Sequence, residues 1–410
     1  MKQVLIIGRV WIENTTGAGN RMLQLIDFFQ NQNFKLSFAC SSNKSENSID
    51  LFKMGIEEIP IELNSSSFDT VLKKINPTIV LFDRFLTEEQ FGWRVSENCP
   101  QALRILDTED LHFLRKVRHQ QYKNKQSFSN EGLLKSDETK REIASILRCD
   151  LSLIISSYEM ELLRSVFKID ENILHHLPFL FDRITDKDVQ ELTSFEERSH
   201  FVFIGNYLHK PNVDAVLTLK RHIWKNIRKL LPKAEIHIYG AYASQQILQL
   251  HSEKEDFLIK GFAKDSLKVI EEAKVVLAPL NFGAGIKGKL TEAMICGTPS
   301  VTTKIGAEGM HNNLSWNGFI TNDYNEFSNN AVELYSNKSK WEISQKNGFE
   351  IINSIYYKED LSPVFIKKIR SLQNNLEEHR TKNFLGSLLQ YQTLQATKYM
   401  SKWIEEKNKD

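Results

Sequence analysis

The sequence contains 410 residues, more than a single hydrophobic core usually organises, so we expect two domains. Its 53 lysines and arginines almost balance its 52 aspartates and glutamates, which gives a net charge of +1. A general nucleic-acid binder carries a strong basic excess, so this balance argues against that class of protein. The hydrophobic share of 41% is ordinary for a globular protein.

The four cysteines, Cys40, Cys99, Cys149 and Cys296, are scattered without a C-x-x-C pair. This spacing argues against a structural zinc site and a disulfide framework, and predicts four buried thiols in a reducing cytosol. The first residues, MKQVLIIGRVW, lack the long apolar stretch and cleavage site of a secretory signal. No uncharged apolar run reaches the roughly 18 residues that cross a bilayer. We therefore expect a soluble, cytoplasmic protein.

In the first half of the chain, short β-rich runs alternate with longer helical patterns. Runs such as VLIIG, TIVLF and LSLII are continuously apolar, which is typical of strands covered by helices on both faces. The alternation predicts a parallel sheet built from βαβ units. The predicted strands are Val4–Gly8, Lys35–Cys40, Glu58–Glu62, Thr78–Asp83, Leu103–Thr108, Leu151–Ser156 and Ile173–Pro178. The predicted helices between them include Asn20–Gln30, Glu88–Glu97 and Lys140–Arg148.

A polar, charge-rich stretch without a strand pattern, Phe181–His200, then interrupts the alternation and is interpreted as a linker. The alternation restarts after it, so the sequence predicts two doubly wound α/β domains with a ligand cleft between them. From about Asn325 the chain is helical, and Asn383–Asp410 forms one or two terminal helices. The strands predicted in the second half are Phe201–Gly205, Glu235–Gly240, Phe257–Gly261, Lys274–Leu280, Ser300–Thr303 and Gly318–Thr321. The predicted divisions are residues 1–182, a linker at 183–200, residues 201–356, and C-terminal helices at 357–410 that partly return to the first domain.

The segment Lys274–Thr303, KVVLAPLNFGAGIKGKLTEAMICGTPSVTT, carries the strongest chemical signal. A buried strand leads into a glycine-rich loop and then into a helix predicted from near Ile286 to Cys296. Exposed backbone N–H groups and a positive helix end make such a loop an anion site, and two lysines in it add charge. Glu292 lies one turn into the helix, where its carboxylate can accept hydrogen bonds from a ribose diol. The combination predicts a site for a nucleoside diphosphate.

The same loop matches the dinucleotide fingerprint G-x-G-x-x-G at Gly283, Gly285 and Gly288. A nicotinamide site requires an acidic residue at the end of the following strand. Glu308 has a suitable separation, but it lies past Gly306 in the next loop. Because a dinucleotide would also leave the two lysines and the glutamate without a role, a nucleotide-sugar is the favoured ligand.

The segment resembles the donor-site motif of glycosyltransferase family 4, the large retaining family with the GT-B fold. FIGNYLHKPNVDAV (Phe203–Val216), EIHIYGAYAS (Glu235–Ser244) and TTKIGAEGM (Thr302–Met310) agree with that resemblance. In the first half, TTGAGNRMLQLI (Thr15–Ile26) resembles the glycine loop beneath the donor phosphates, and DTEDLHFLR (Asp107–Arg115) resembles a stretch with acceptor-side residues. The resemblance implies a GT-B fold, in which two Rossmann-like domains, an N-terminal acceptor domain and a C-terminal donor domain, face each other across a cleft.

The resemblance also implies an activity, namely transfer of a sugar from a nucleotide-sugar to a glycan, lipid-linked or other hydroxyl acceptor with retention of configuration. Glu292 matches the second glutamate of the family's E-x7-E motif and is expected to hold the ribose. Its first glutamate falls at Ala284, and backbone N–H groups are the candidates to replace it. The residues expected to be catalytic are His112, Lys287 and Lys289. The donor-binding residues are expected to be Gly17, Gly19, Gly205, Lys210, Gly283, Ala284, Gly285, Ile286, Lys287, Lys289 and Glu292.

We expect no cofactor and no metal, because the D-x-D of metal-dependent transferases is absent from DTED and lysines already serve the phosphates. The stretch Arg115–Lys125 has five basic residues and no acid, and is interpreted as a solvated helix face or mobile loop. The alternative interpretation is a patch that meets an anionic lipid headgroup or a lipid-diphosphate acceptor. Any membrane contact is expected to be peripheral, at the inner face of the membrane. Two alternatives stay open: a GT-B enzyme of the sugar-nucleotide epimerase type, and a non-catalytic protein that binds a nucleotide-sugar.

Overall fold

The computed structural model of the protein describes residues 2–13 and 16–408. Thr15, with which the predicted glycine loop begins, and the last two residues of the predicted terminal helices lie outside this range. The described chain folds into two parallel β-sheets of seven and six strands, each flanked by helices. The predicted fold class, two Rossmann-like domains of the GT-B type with C-terminal helices, is confirmed.

The first sheet has the strand order β3-β2-β1-β4-β5-β6-β7, and every pair in it is parallel. The strands β1 and β4 lie at its centre and are almost wholly buried, as their continuous apolar runs predict. All seven predicted strands are present, with ends that shift by one or two residues. They are β1 (Gln3–Gly8), β2 (Lys35–Cys40), β3 (Glu57–Pro60), β4 (Ile79–Asp83), β5 (Leu103–Asp107), β6 (Leu151–Ile154) and β7 (Leu174–His176). The helices of this part are α1 (Gly17–Asn31), α2 (Ser67–Ile75), α3 (Arg84–Asn98), α4 (His112–Lys123), α5 (Asn130–Lys135), α6 (Asp137–Arg148) and α7 (Ser157–Ser165).

The second sheet has the order β10-β9-β8-β11-β12-β13 and is also parallel. All six predicted strands are again present. They are β8 (Ser199–Ile204), β9 (Ile236–Tyr239), β10 (Phe257–Gly261), β11 (Ala273–Ala278), β12 (Ser300–Thr302) and β13 (Gly318–Ile320). The helices from α8 to α15 are α8 (Asp186–Glu191), α9 (Lys210–Thr218), α10 (Trp224–Leu230), α11 (Gln245–Leu248), α12 (Ser266–Glu272), α13 (Gly288–Ile295), α14 (Lys304–Ala307) and α15 (Tyr324–Ser336).

The stretch predicted as a plain linker contains two elements. Helix α8 forms inside it, capped by reciprocal hydrogen bonds between Thr185 and Asp188, and β8 already begins at Ser199. The chain crosses back to the first sheet after α16 (Lys338–Ile355), and the two crossings touch. There the backbone N–H of Phe181 donates to the carbonyl of Tyr356 at 2.8 Å, and the N–H of Lys358 donates to the carbonyl of Phe181 at 2.9 Å. The two connections between the sheets are therefore hydrogen-bonded to each other.

The C-terminal helices are α17 (Lys358–Asn374), α18 (Leu376–Lys382) and α19 (Phe384–Lys407). They pack against the first sheet's helices: the ring of Phe365 lies 4.6 Å from that of Phe28, and Arg380 forms a 2.7 Å ion pair with Asp150. No helix in the described part of the chain is long and apolar enough to cross a membrane. The four cysteine thiols are buried and unpaired, as predicted.

Candidate active site between the two sheets

Two helix N-termini face each other across the cleft. Helix α1 begins at Gly17, where the Thr16 hydroxyl accepts a hydrogen bond from the N–H of Gly19 at 2.9 Å. Helix α13 begins at Gly288, two residues later than predicted, because Lys287 is its N-cap with an extended backbone. A methyl group added to Gly288 would lie 3.8 Å from the Cα of Gly17. Each N-terminus carries unpaired N–H groups and a partial positive charge, so the cleft concentrates two anion-binding ends at one place.

The ammonium group of Lys289 lies beside the end of β8. Its Nζ donates to Oδ1 of Asn212 at 2.7 Å and stands 4.1 Å from the ring centre of Phe203. A methyl group on Gly205 would lie 2.8 Å from the same Nζ, so this glycine makes room for the lysine. Burial lowers the pKa of Lys289 to about 7, against the opposing charge of Glu292. Lys289 is therefore a lysine that a bound anion can bring to full charge.

The carboxylate of Glu292 lies on the next turn of α13 and reaches toward the first domain. Its Oε1 accepts a long hydrogen bond from Nδ2 of Asn20 on α1, at 3.4 Å. Burial raises the pKa of Glu292 to about 7, while Lys289 lowers it. The predicted ribose-binding and phosphate-binding side chains are thus adjacent, and Asn20 joins them from the other side of the cleft. Asn20 stands within the glycine-loop motif but was not among the predicted site residues.

The glycine loop before α13 docks on the first domain. The N–H of Gly285 donates to Oε1 of Glu159 at 2.8 Å, and Ala284 packs against an apolar cluster of the first domain. Gly285 has a φ of +63°, and a methyl group there would lie 2.7 Å from Cβ of Asp110, so only glycine fits. Glu159 is fully buried and also accepts from the N–H of Leu111 at 3.0 Å. Ala284, where the first motif glutamate would fall, is therefore part of an interdomain contact.

Lys287 does not lie beside Lys289. Its Nζ donates to the carbonyl of Gly285 at 2.7 Å, and burial lowers its pKa to about 8 while Glu308 raises it and Arg118 lowers it. Arg118 of helix α4 is buried and spans the cleft. It donates to the carbonyl of Gly283 at 2.9 Å and to both carboxylate oxygens of Glu308 at 2.7 and 2.9 Å. These contacts hold the glycine loop against the first domain.

The stretch Arg115–Lys125, interpreted as a solvated helix face or mobile loop, does expose Lys116, Lys123 and Lys125, but Arg118 is buried and departs from that interpretation. The stretch continues helix α4, and Arg118 is only 4% exposed. Helical periodicity could have indicated this, because Arg118 lies one turn after Leu114, a residue of the buried face.

His112 begins helix α4 at the carboxyl end of β5. Its Nε2 lies 3.6 Å from Oδ1 of Asp110, and its ring meets Phe85 edge-on at 5.7 Å. Burial lowers the pKa of His112 to about 3, although Asp110 opposes the shift. The imidazole is therefore neutral at pH 7. It can form hydrogen bonds, but it does not act as a general acid in the charged imidazolium form. Glu142 holds the start of the helix by accepting from the N–H groups of His112 and Phe113 at 3.2 and 2.9 Å.

Four further predicted donor-binding residues are Gly17, Gly19, Lys210 and Ile286. A methyl group on Gly17 would meet nothing within 4 Å, so the backbone there is open to a ligand. On Gly19 it would lie 1.8 Å from the carbonyl oxygen of Glu13, so this glycine serves close packing of the loop. Lys210 is exposed at the start of α9, and Ile286 is half-buried next to the core of the second domain. Within residues 2–13 and 16–408, no His, Cys, Asp and Glu side chains are grouped to hold a metal ion.

Comparison with known proteins agrees with this arrangement. Residues 198–337 match the family model described as "Glycosyl transferases group 1". Among solved structures, a mutant of S. aureus TarM in complex with fondaparinux, alpha-GlcNAc-glycerol and UDP superposes with a TM-score of 0.68 at 12% identity, over 91% of this chain and 100% of that one. Anabaena HepE in complex with UDP and glucose superposes with a TM-score of 0.66 at 14% sequence identity, over 91% of this chain and 100% of that one. Sucrose-phosphate synthase from Thermosynechococcus elongatus superposes with a TM-score of 0.64 at 14% sequence identity, over 91% of this chain and 99% of that one. Curated protein sequences give no match.

The two facing sheets and these superpositions define a protein of the GT-B class. Its second domain carries the glycosyl transferases group 1 match, and the loop and helix described above lie inside the matched residues. The chain therefore has the GT-B fold, and its second domain is similar to the glycosyl transferases group 1 family.

Proposed function

We propose that the protein transfers a sugar from a nucleotide-sugar whose diphosphate binds between the N-termini of α1 and α13. The observation that carries this proposal is the meeting of two helix N-termini beside the Lys289–Glu292 pair. A diphosphate accepts hydrogen bonds from unpaired N–H groups, and a carboxylate on the next turn is placed for the two ribose hydroxyls. TarM and HepE, which share the fold, have been crystallised with UDP, and this supports a nucleotide as the ligand.

The proposed chemistry is electrostatic stabilisation of the leaving diphosphate. Charge accumulates on the phosphate oxygens as the glycosidic bond breaks, and preorganised N–H groups and Lys289 stabilise that charge. The amine of Lys289 gains a full charge when the phosphate binds, because burial lowers its pKa to about 7 and the phosphate favours the charged form. We propose that no metal is required, since the cation and the two helix ends already meet the diphosphate. Lys287 keeps a supporting role in this proposal: it holds the glycine loop through the carbonyl of Gly285.

The acceptor is proposed to enter from the first domain, at the carboxyl ends of its central strands. His112 stands there as a neutral imidazole, suited to hydrogen-bond a sugar hydroxyl. The transfer is proposed to proceed with retention, in which a donor phosphate oxygen takes the acceptor's proton on the same face of the sugar. No side-chain nucleophile is required by this route. The acceptor class is a glycan, a lipid-linked sugar or another hydroxyl compound.

The experiment begins with binding of UDP, GDP, ADP and their common sugar conjugates, measured by thermal shift and calorimetry. Glu292→Ala should weaken binding of the preferred nucleotide by about 1.5–3 kcal/mol, the range for hydrogen bonds to a charged group. Glu350→Ala is the matched control, because Glu350 is exposed on α16 of the same domain, away from the cleft. Equal affinity in a folded Glu292→Ala variant would reject the ribose assignment.

The same protein, incubated with donor and candidate acceptors, tests the reaction itself. NMR of the product reports the anomeric configuration, and retention is expected. EDTA should leave the rate unchanged, and a strict dependence on added manganese would contradict the metal-independent proposal. Conversion of the donor without any acceptor would instead identify a sugar-nucleotide epimerase, and binding without turnover would identify a nucleotide-sugar-binding protein.

A further inference from the structure

Three arginines stand at the carboxyl ends of three neighbouring strands of the first sheet. Arg9 directly follows β1, Arg84 directly follows β4, and Arg115 lies in the first turn of α4, which follows β5. These strands are adjacent in the order β1-β4-β5, so their ends open on one side of the sheet. That side is the one on which ligands of parallel α/β sheets bind.

Two carboxylates organise this cluster. Asp83 accepts from the backbone N–H of Arg9 at 3.1 Å with one oxygen, and its other oxygen lies 3.2 Å from Nε of Arg84. Asp110 lies 3.2 Å from Nε of Arg115. Arg84 has a φ of +69°, a left-handed conformation that non-glycine residues rarely adopt. Strain of this kind persists where surrounding contacts impose it, and it is concentrated at binding and catalytic sites.

Asp83 and Asp110 pair with two of the three arginines. The guanidinium group of Arg9 has no carboxylate partner among the described residues, and desolvation together with the charges of Arg84 and Arg115 lowers its pKa. Two further nearby acids, Asp107 and Glu138, have basic partners of their own, Arg21 and Lys116. Burial raises the pKa of Glu109 well above the usual range and Asp107 adds to the shift, and the buried Oε1 of Glu109 has no hydrogen-bond partner within the described structure.

The cluster is continuous with the donor side of the cleft. Nη1 of Arg115 lies 2.7 Å from Nε2 of His209, the residue that precedes α9 in the second domain. His112 shares Asp110 with Arg115. A ligand bound by the three arginines would therefore lie in the same cleft as a donor bound at Lys289.

We infer that Arg9, Arg84 and Arg115 form a subsite for a negatively charged group, a phosphate or a carboxylate, carried by the acceptor. This inference rests on the proposed function, because it assigns the acceptor side of a transferase cleft. Guanidinium groups bind both anions through charge-assisted, often bidentate hydrogen bonds, and here two of them follow strand ends and the third lies in the first turn of α4.

The test uses the full-length protein, saturated with the nucleoside diphosphate that binds best in the screen above, so that the donor site is filled. Glucose, glucose 6-phosphate and glucuronate differ only at carbon 6, and their affinities are compared by calorimetry or ligand-observed NMR. We expect the charged sugars to bind at least about tenfold more tightly than glucose. Preference for glucose 6-phosphate alone identifies a phosphate subsite, and preference for both identifies a general anion subsite.

Arg9→Gln should remove most of that preference, because it deletes the unpaired charge and keeps the backbone N–H that Asp83 accepts. Arg84→Asn is the second variant, since asparagine tolerates the left-handed backbone. Lys123→Gln, an exposed basic residue at the far end of α4, is the control and should keep the preference. Thermal melting confirms folding of each variant.

Two outcomes overturn the inference: the three sugars bind equally, undetectable binding of all three included, or both arginine variants retain the full preference. Failure of the proposed function has a different signature. In that case no nucleotide binds, and the three sugars are compared on the nucleotide-free protein, where the charge preference is still measured.

Discussion

The two sides of the cleft carry charge in different ways. On the donor side, Lys289 and Glu292 both have a pKa of about 7, so their protonation depends on what is bound between them. On the acceptor side, the arginines are permanently charged and His112 is permanently neutral near pH 7. A site whose charge adapts suits a ligand whose own charge changes during the reaction, as a leaving diphosphate does. Fixed charges suit a group that is recognised and stays unchanged.

The largest expected effect concerns Lys289. Lys289→Ala removes the cation from the leaving group and should lower turnover by about a hundredfold, the scale of losing one preorganised electrostatic contact. Binding of the bare nucleoside should change much less, because it lacks the phosphates. Lys287→Ala should have a smaller effect on turnover, since its Nζ is directed to the carbonyl of Gly285. Steady-state kinetics with both variants checks the order, and an equal loss in the two would show that Lys287 also contacts the donor.

The strands and the donor motif were predictable from the sequence, because each depends on residues that are close together along the chain. Continuous apolar runs identify buried strands, and the spacing of Lys289 and Glu292 after a glycine loop places both on one helix. The contacts that close the cleft were not predictable in this way. Glu159 and Arg118 each meet the glycine loop across more than a hundred residues of sequence, and their roles exist only once the two domains face each other.

The orientation of the Lys287 side chain was also not predicted from the sequence. A helix start at Ile286 would have placed Lys287 within the first turn, beside the phosphates. The helix starts at Gly288 instead, so Lys287 is the N-cap, and its side chain returns to the loop that precedes it. A shift of two residues in a helix boundary is within the ordinary uncertainty of such patterns, yet it changes which group a lysine meets.

The contrast between adaptable and fixed charge predicts a pH dependence of nucleotide binding. Burial depresses the pKa of Lys289 to about 7, and a bound diphosphate favours the charged form and raises the pKa again. Binding therefore takes up a proton above pH 7. The affinity for the nucleoside diphosphate should fall as the pH rises from 7 to 9, by up to about tenfold per unit while the bound lysine stays charged.

Lys289→Arg is the control for that profile, because arginine does not lose its proton in this range. Its affinity should lack the fall that Lys289 causes between pH 8 and 9, and a remaining change near pH 7 reports Glu292, whose pKa is also about 7. Calorimetry in two buffers of different ionisation enthalpy measures the proton uptake directly. The preference for charged sugars at the arginine cluster should stay constant from pH 7 to 9. If that preference falls together with the nucleotide affinity, the charge on the acceptor side is not fixed, and the contrast between the two sides is wrong.

The smallest expected effect concerns the contact that joins the two sides. Arg118 bridges α4 to Gly283 and Glu308, so Arg118→Ala should shift the protein toward a more open arrangement. A contact of about 1–1.5 kcal/mol changes the ratio of closed to open molecules by about five- to tenfold. Turnover should fall by about that factor or less, because substrate binding restores part of the closure. Small-angle scattering should give a larger radius of gyration for the nucleotide-free variant than for the unaltered protein.

The control for the interdomain contact is Lys116→Ala on the same helix. Lys116 pairs with Glu138 inside the first domain and is half exposed, and an exposed pair of this kind contributes little. It should leave both the scattering and the turnover unchanged. A double-mutant cycle with Glu308→Ala then isolates the Arg118–Glu308 interaction, since each single substitution should remove most of the same coupling. If Arg118→Ala is as compact and as active as the unaltered protein, the bridge does not control closure, and other interdomain contacts, such as that between Glu159 and Gly285, maintain it.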